Sequence, residues 1–174
     1  MRRINHVLTI VLMVLLEVHI VVCSFLMFGW SHLILEQIAR IEFVLVMCHA
    51  LIGILLTFKK NQFRSSNHYI EKNKLYWLRR VTGLGVLVLS IPHMSMFVKW
   101  IDNSIVKMKF LSSIQMVSHV LFLLFIVVHL VLNMKPMLIS MGIKKYKRVN
   151  EVLLVISVVL SIFALVASIH YYLR

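Results

Sequence analysis

The sequence predicts an all-α integral membrane bundle of five transmembrane helices, with the N-terminus cytoplasmic and the C-terminus outside. Three observations carry that expectation. First, 61% of the 174 residues are apolar and only 14% are charged, against about 25% charged in an ordinary soluble domain. The mean hydropathy is +0.93. Second, the apolar residues come in long blocks rather than amphipathic stripes, which is how membrane spans read. Third, the basic residues gather in alternate gaps between those blocks, as the positive-inside rule requires.

The spans fall at about 5–28, 38–58, 75–100, 111–133 and 149–172. Each holds about 20 or more mostly apolar residues, enough to cross a hydrocarbon core of about 30 Å at 1.5 Å per residue. The first block opens on Met1-Arg2-Arg3 but is too long for a signal h-region. It lacks a small-x-small cleavage site and is interrupted by Glu17 and His19, so it reads as a mature helix. The gap after it holds Glu36, Arg40 and Glu42. The next carries Lys59, Lys60, Arg64, Lys72 and Lys74, with Arg79 and Arg80 just beyond. Asp102 stands with Lys99, Lys107 and Lys109 in the third. Lys135, Lys144, Lys145, Lys147 and Arg148 fill the fourth. The N-terminus and the second and fourth gaps are therefore expected on the cytoplasmic side. Trp30, Trp77, Trp100, Tyr76, Tyr171 and Tyr172 fall near span ends, where interfacial aromatics belong.

These features exclude several function classes. The net charge of +13 is accounted for by the loops, so no nucleic-acid partner is expected. Cys23 and Cys48 form no CxxC or CxxCH, which argues against covalent haem attachment and a cysteine-rich metal site. No gap is long enough for a soluble catalytic domain. The chain reads as a single domain over 1–174, without internal repeats.

The histidines carry the functional signal. There are nine, and His19, His49, His93, His119 and His129 lie well inside spans, with His170 near the end of the last. An ionisable side chain inside a bilayer is costly and marks function by default. A single such histidine is as readily a hydrogen-bonded packing residue; five together point to a shared ligand. Depth divides them. His19 and His93 sit about 14–16 Å from the outer ends of their helices, and His49 and His129 about 9–15 Å from the inner ends. An outer pair and an inner pair suit two b-type haems, each with two axial imidazoles. Gly85 shares a stripe with Thr82, Leu89 and His93, and Gly53 stands four residues from His49; a glycine on a ligand's face lets a flat macrocycle approach the backbone. Small-residue helix packing explains such glycines equally well. His119 and His129 share one face of the fourth span, about 15 Å apart, so His119 is a rival to His93 or His19 as the outer ligand.

The ordered segments LLEVHIVVCSFLMFG, FVLVMCHALIGILLTFKKNQFR, LYWLRRVTGLGVLVLSIPHMSMF and FIVVHLVLNMKP resemble the diheme cytochrome b membrane anchor of succinate dehydrogenases and fumarate reductases. The resemblance covers nearly the whole chain at low identity. It implies one ligand on each of the first four helices, His19 paired with His93 and His49 with His129. It also implies a flavoprotein and an iron–sulfur subunit on the cytoplasmic face of the cell membrane, and menaquinone or ubiquinone as diffusible partner. Such a subunit performs no bond chemistry at carbon; it conducts electrons. Arg79, Arg80 and Lys59 are the candidates to meet haem propionates, and Glu36, His32 and Glu17 to handle quinone protons. Two departures stand out. Val127 occupies the position where some members carry a proton-path glutamate, and His119 and His170 are additional. The rival readings are another diheme cytochrome b, such as the membrane subunit of a formate dehydrogenase or hydrogenase or a cytochrome b561-like protein, and a haem-free transporter or assembly protein. Transport fits less well, because only Pro92 interrupts a span and glycine is scarce.

Overall fold

The computed structural model describes residues 2–30, 35–61, 73–96 and 112–173. They form five helices: α1 (Arg2–Met27), α2 (Leu35–Asn61), α3 (Lys74–Met96), α4 (Ser113–Ser140) and α5 (Tyr146–Leu173). α1, α2, α4 and α5 are long and apolar enough to cross a membrane. α3 has 23 residues, sufficient in length, but carries Lys74, Arg79 and Arg80 in its first two turns. The expected outer end of the third span, 97–100, lies outside the described residues. So do the charged gaps at 62–72 and 97–111.

Local chemistry sets several helix ends. After α1, Gly29 takes φ 100°, which only glycine adopts cheaply. Gly29 N–H then bonds Leu26 C=O at 2.9 Å and Trp30 N–H bonds Phe25 C=O at 3.1 Å. This is a Schellman cap, closed by the Trp30 ring stacked on Phe25 at 5.3 Å. Gly142, at φ 77°, ends α4 in the same way, with Ile143 N–H on Leu138 C=O. α4 begins with a capping box, Ser112 and Gln115 bonding each other's backbone N–H.

Two boundaries correct the sequence expectation. Arg40 and Glu42 are not loop charges; both lie within α2, and Glu42 is 8% exposed. The fourth helix does not stop at Asn133 but runs through Lys135 and Pro136 to Ser140. Proline has no N–H to give the carbonyl four residues back. That carbonyl, Leu132 C=O, accepts instead from Arg79 Nε of α3 at 2.8 Å. The kink-prone residue is tolerated because a neighbouring helix satisfies the carbonyl it strands.

The helices close a ring in which each touches the next and α5 returns to α1. Contact is most extensive between α3 and α4 and thinnest between α2 and α3. The outer face is apolar: Val7, Val11, Val14 and Val18 of α1 and Val81, Leu84, Val88 and Ile91 of α3 are all exposed, the arrangement lipid favours. Small and hydroxyl residues line the α1–α5 seam. Ser24, Ala167 and Ser168 are essentially inaccessible. Ser24, Ser161 and Ser168 return their hydroxyls to the carbonyl four residues back, each at 2.7 Å, so the helices approach closely without stranded polar groups.

The two ends of the bundle are distinct. We call the end at which α1 begins the inner end; there His6 Nε2 meets Ser140 Oγ at 3.1 Å. At the outer end Phe28 packs on His170, with ring centroids 5.2 Å apart, and Ser113 Oγ meets Tyr172 Oη at 3.0 Å.

Candidate cofactor site

The ring encloses a cavity of about 1010 Å³ lined by residues of all five helices, at the top of the range of about 300–1,000 Å³ for small-molecule sites. His19, His49, His93, His119 and His129 all line it. His170 is exposed at the outer end and does not.

At the inner end, Thr9 Oγ1 of α1 lies 3.5 Å from His49 Nδ1. His129 is held more firmly. Its Nδ1 lies 3.1 Å from Thr82 Oγ1 of α3 and 3.3 Å from Asn133 Nδ2, one turn along its own helix. Thr82 Oγ1 donates to Arg79 C=O at 3.1 Å, so its oxygen can accept Nδ1–H of His129, and that tautomer leaves Nε2 free for a ligand. Arg80 Nη1 donates to Gly53 C=O at 3.0 Å, a tie across the thin α2–α3 contact, and its guanidinium lies over the Tyr76 ring at 5.3 Å. Arg79 and Arg80 both line the cavity here, though Arg79 Nε is committed to Leu132 C=O.

At the outer end, His19 and His93 have ring centroids 6.2 Å apart, with planes at 52°. Two imidazoles bound to one metal from opposite sides, each nitrogen about 2 Å from it, have centroids about 6 Å apart. His19 Nε2 lies 3.3 Å from Cys23 Sγ, and His19 Nδ1 lies 3.1 Å from Glu42 Oε2, at ion-pair distance but without hydrogen-bond alignment. His93 has a nearer neighbour than His19. Its ring lies edge to edge with His119, centroids 5.3 Å apart and planes at 12°, with the two Nδ1 atoms 3.2 Å apart. Phe122, three residues along α4 from His119, packs on His93 at 4.8 Å.

The glycines divide. A Cβ on Gly53 would lie 3.1 Å from Arg80 Nη1, and one on Gly83 would lie 3.0 Å from His129 Cε1; both residues line the cavity. Gly85 instead faces the Phe125 ring, which a Cβ would strike, and it is not part of the cavity wall. Gly85 thus serves the close α3–α4 contact, and Gly83, next to Thr82, is the glycine of α3 beside a histidine.

Of the acid–base candidates, Glu17 accepts a hydrogen bond from Ser157 Oγ of α5 at 3.0 Å and does not line the cavity. His32 and the side chains of Glu36 and Lys59 lie outside the described residues. Among the described residues, the carboxylate that lines the cavity is Glu42. Its signal in the sequence was its position, four residues inside a span that begins near Ile38.

The residues fit a macrocycle with two axial imidazoles. The donors are imidazole nitrogens in apolar surroundings, two layers deep, with glycines in the wall and a hydroxyl or carboxylate near Nδ1 of His49, His129 and His19. Among the described residues no three or more His, Cys, Asp or Glu side chains converge so as to hold a bare metal ion. No family model, curated protein or solved structure matches this chain.

Proposed function

We propose that this chain is the haem-binding membrane anchor of a succinate dehydrogenase or fumarate reductase type complex. It conducts electrons between a membrane quinone and an iron–sulfur subunit docked at the cytoplasmic face. The single observation that carries the reading is that all five span-buried histidines line one cavity, in an inner and an outer layer. The choice of complex rests on the ordered resemblance of the four histidine-bearing segments.

Each haem would supply a one-electron iron couple. The chain's own residues do the rest. His19 and His93 would hold the outer iron, and His49 and His129 the inner one; with two imidazoles per iron no position stays open for oxygen, which suits electron transfer. Thr82 would accept the Nδ1–H of His129 and so fix its ring, and Thr9 stands at the far nitrogen of His49. Glu42 places a negative charge beside His19, which raises the ligand's basicity and favours ferric iron. Apolar walls keep water out. Arg80, at the inner end, offers positive charge to propionates, and its guanidinium is steadied by Gly53 and Tyr76.

The test is a reduced-minus-oxidised optical spectrum of the full chain purified from membranes, with haem quantitation. Two b-type haems per chain are expected. A preparation with no haem band would sink the proposal.

A further inference from the structure

The histidine left over by the pairing is His119, and its surroundings are unusual. It is 5% exposed, lies on α4, and meets His93 of α3 edge to edge with the two Nδ1 atoms 3.2 Å apart. Two imidazole nitrogens at that distance share one proton, one ring donating and the other accepting. Which ring donates depends on which nitrogen of His93 is otherwise engaged.

Resting on the haem reading above, we propose that His119 is not an axial ligand but a positioning residue: it accepts the Nδ1–H of His93 and so orients and tunes the ligand of the outer haem. The assignment of His93 as the ligand rests on its 6.2 Å spacing from His19, and the tautomers follow from it. With His93 Nε2 on iron, its proton sits on Nδ1, and His119 Nδ1 must be the acceptor. The proton of His119 then sits on Nε2, the buried atom that has no hydrogen-bond partner. The geometry supports the division of roles. His93 is the ring placed 6.2 Å from His19, the spacing of two ligands on one metal, while His119 meets the Nδ1 edge of His93, the two rings near coplanar at 12°. Phe122 packs on His93 as well, so α4 holds the ring through one polar contact and one ring contact. An acceptor on the far nitrogen of a metal-bound imidazole strengthens its donation to the metal.

The outer haem therefore has a partner behind each ligand, Glu42 beside His19 and His119 beside His93. Two substitutions isolate the hydrogen bond. His119→Phe keeps a flat ring at the position and removes the acceptor; it also removes an unpartnered buried N–H, which favours retention of the fold. His119→Asn supplies a carbonyl oxygen near the position of Nδ1.

The experiment is an optical redox titration of the full-length chain, the outer haem being identified as the one lost in His19→Ala. His119→Phe should keep both haems and raise the outer midpoint by about 59 mV, a tenfold change in a one-electron equilibrium. The inner haem should be unmoved, and His119→Asn should restore the wild-type value. An unchanged outer midpoint in His119→Phe would overturn the proposal. So would loss of the outer haem in His119→Phe with its retention in His93→Ala, which would make His119 the ligand. A wild-type chain without haem removes the parent reading and this inference together, and is distinguished by the absorption band alone.

Discussion

Gly53 and Gly83 both stand in the cavity wall, yet what each faces differs in kind. An added methyl at Gly53 meets only the tip of Arg80, the far end of a flexible side chain that can shift by a few tenths of an ångström. At Gly83 it meets the ring of His129, which Thr82 already holds at Nδ1. Gly53→Ala should therefore leave the inner haem in place and be neutral or slightly stabilising, since alanine gains about 1 kcal/mol of helix propensity. Gly83→Ala should displace His129 by a few tenths of an ångström and shift or weaken the inner haem signal, with the outer haem unaffected. Thermal unfolding in detergent and the low-spin EPR spectrum of the two variants check the contrast. Much at this scale was legible in advance, because a histidine in a membrane span is rare enough to count and its depth can be measured in residues. What was not legible is which atoms face a histidine from another helix. Glu42 reads as a loop charge because charges mark span boundaries, whereas it lies inside the bundle with its carboxylate 3.1 Å from His19 Nδ1. That Gly83 rather than Gly85 faces a histidine depends on the rotation of α3 against α4, which a stripe on one helix does not define.

Among the helices, α4 shows how one stranded group couples two elements. Pro136 removes the donor for Leu132 C=O, and Arg79 Nε supplies it from α3. An unsatisfied buried carbonyl costs about 1–3 kcal/mol. Arg79→Leu in the wild-type background should destabilise the chain by about that amount. In a Pro136→Ala background alanine restores the N–H and the helix bonds Leu132 itself, so the same arginine substitution should cost distinctly less. The coupling read from the double-mutant cycle should be on the order of 1 kcal/mol; additive effects within about 0.5 kcal/mol would mean the arginine is retained for charge alone. The sequence invited the charge explanation, because a basic pair at a span end satisfies the positive-inside rule. It also placed Pro136 outside the helix, since a lysine and a proline together resemble a terminus. Both readings missed the same contact. α5 carries no histidine in the cavity, and its contribution is a seam of Ser157, Ser161, Ala164 and Ser168 against α1. That seam positions α1, and with it His19.

For the molecule as a whole, the question is how many helices cross. By apolarity alone α3 falls short, and a four-span protein would put both termini on one side. The contacts of α3 run the length of the bundle. Arg80 reaches Gly53 and Thr82 reaches His129 in the inner layer, and His93 meets His119 in the outer layer. Its charged residues, Lys74, Arg79 and Arg80, all lie in its first two turns at the inner end, where snorkelling and the bond to Leu132 lower their cost. The ends of α1 and α5 carry the same implication: His6 sits with Ser140, while His170 sits with Phe28 at the opposite end. We therefore expect five crossings. A reporter enzyme active only in the cytoplasm should work when fused after Gly142 and fail when fused after Arg174, and a reporter active only outside should do the reverse. If α3 did not cross, the turn at Gly142 would lie outside and both patterns would invert. The inversion would also move Arg79 and Arg80 away from the layer of His129, and with them the electrostatic basis for placing the iron–sulfur partner at the inner end.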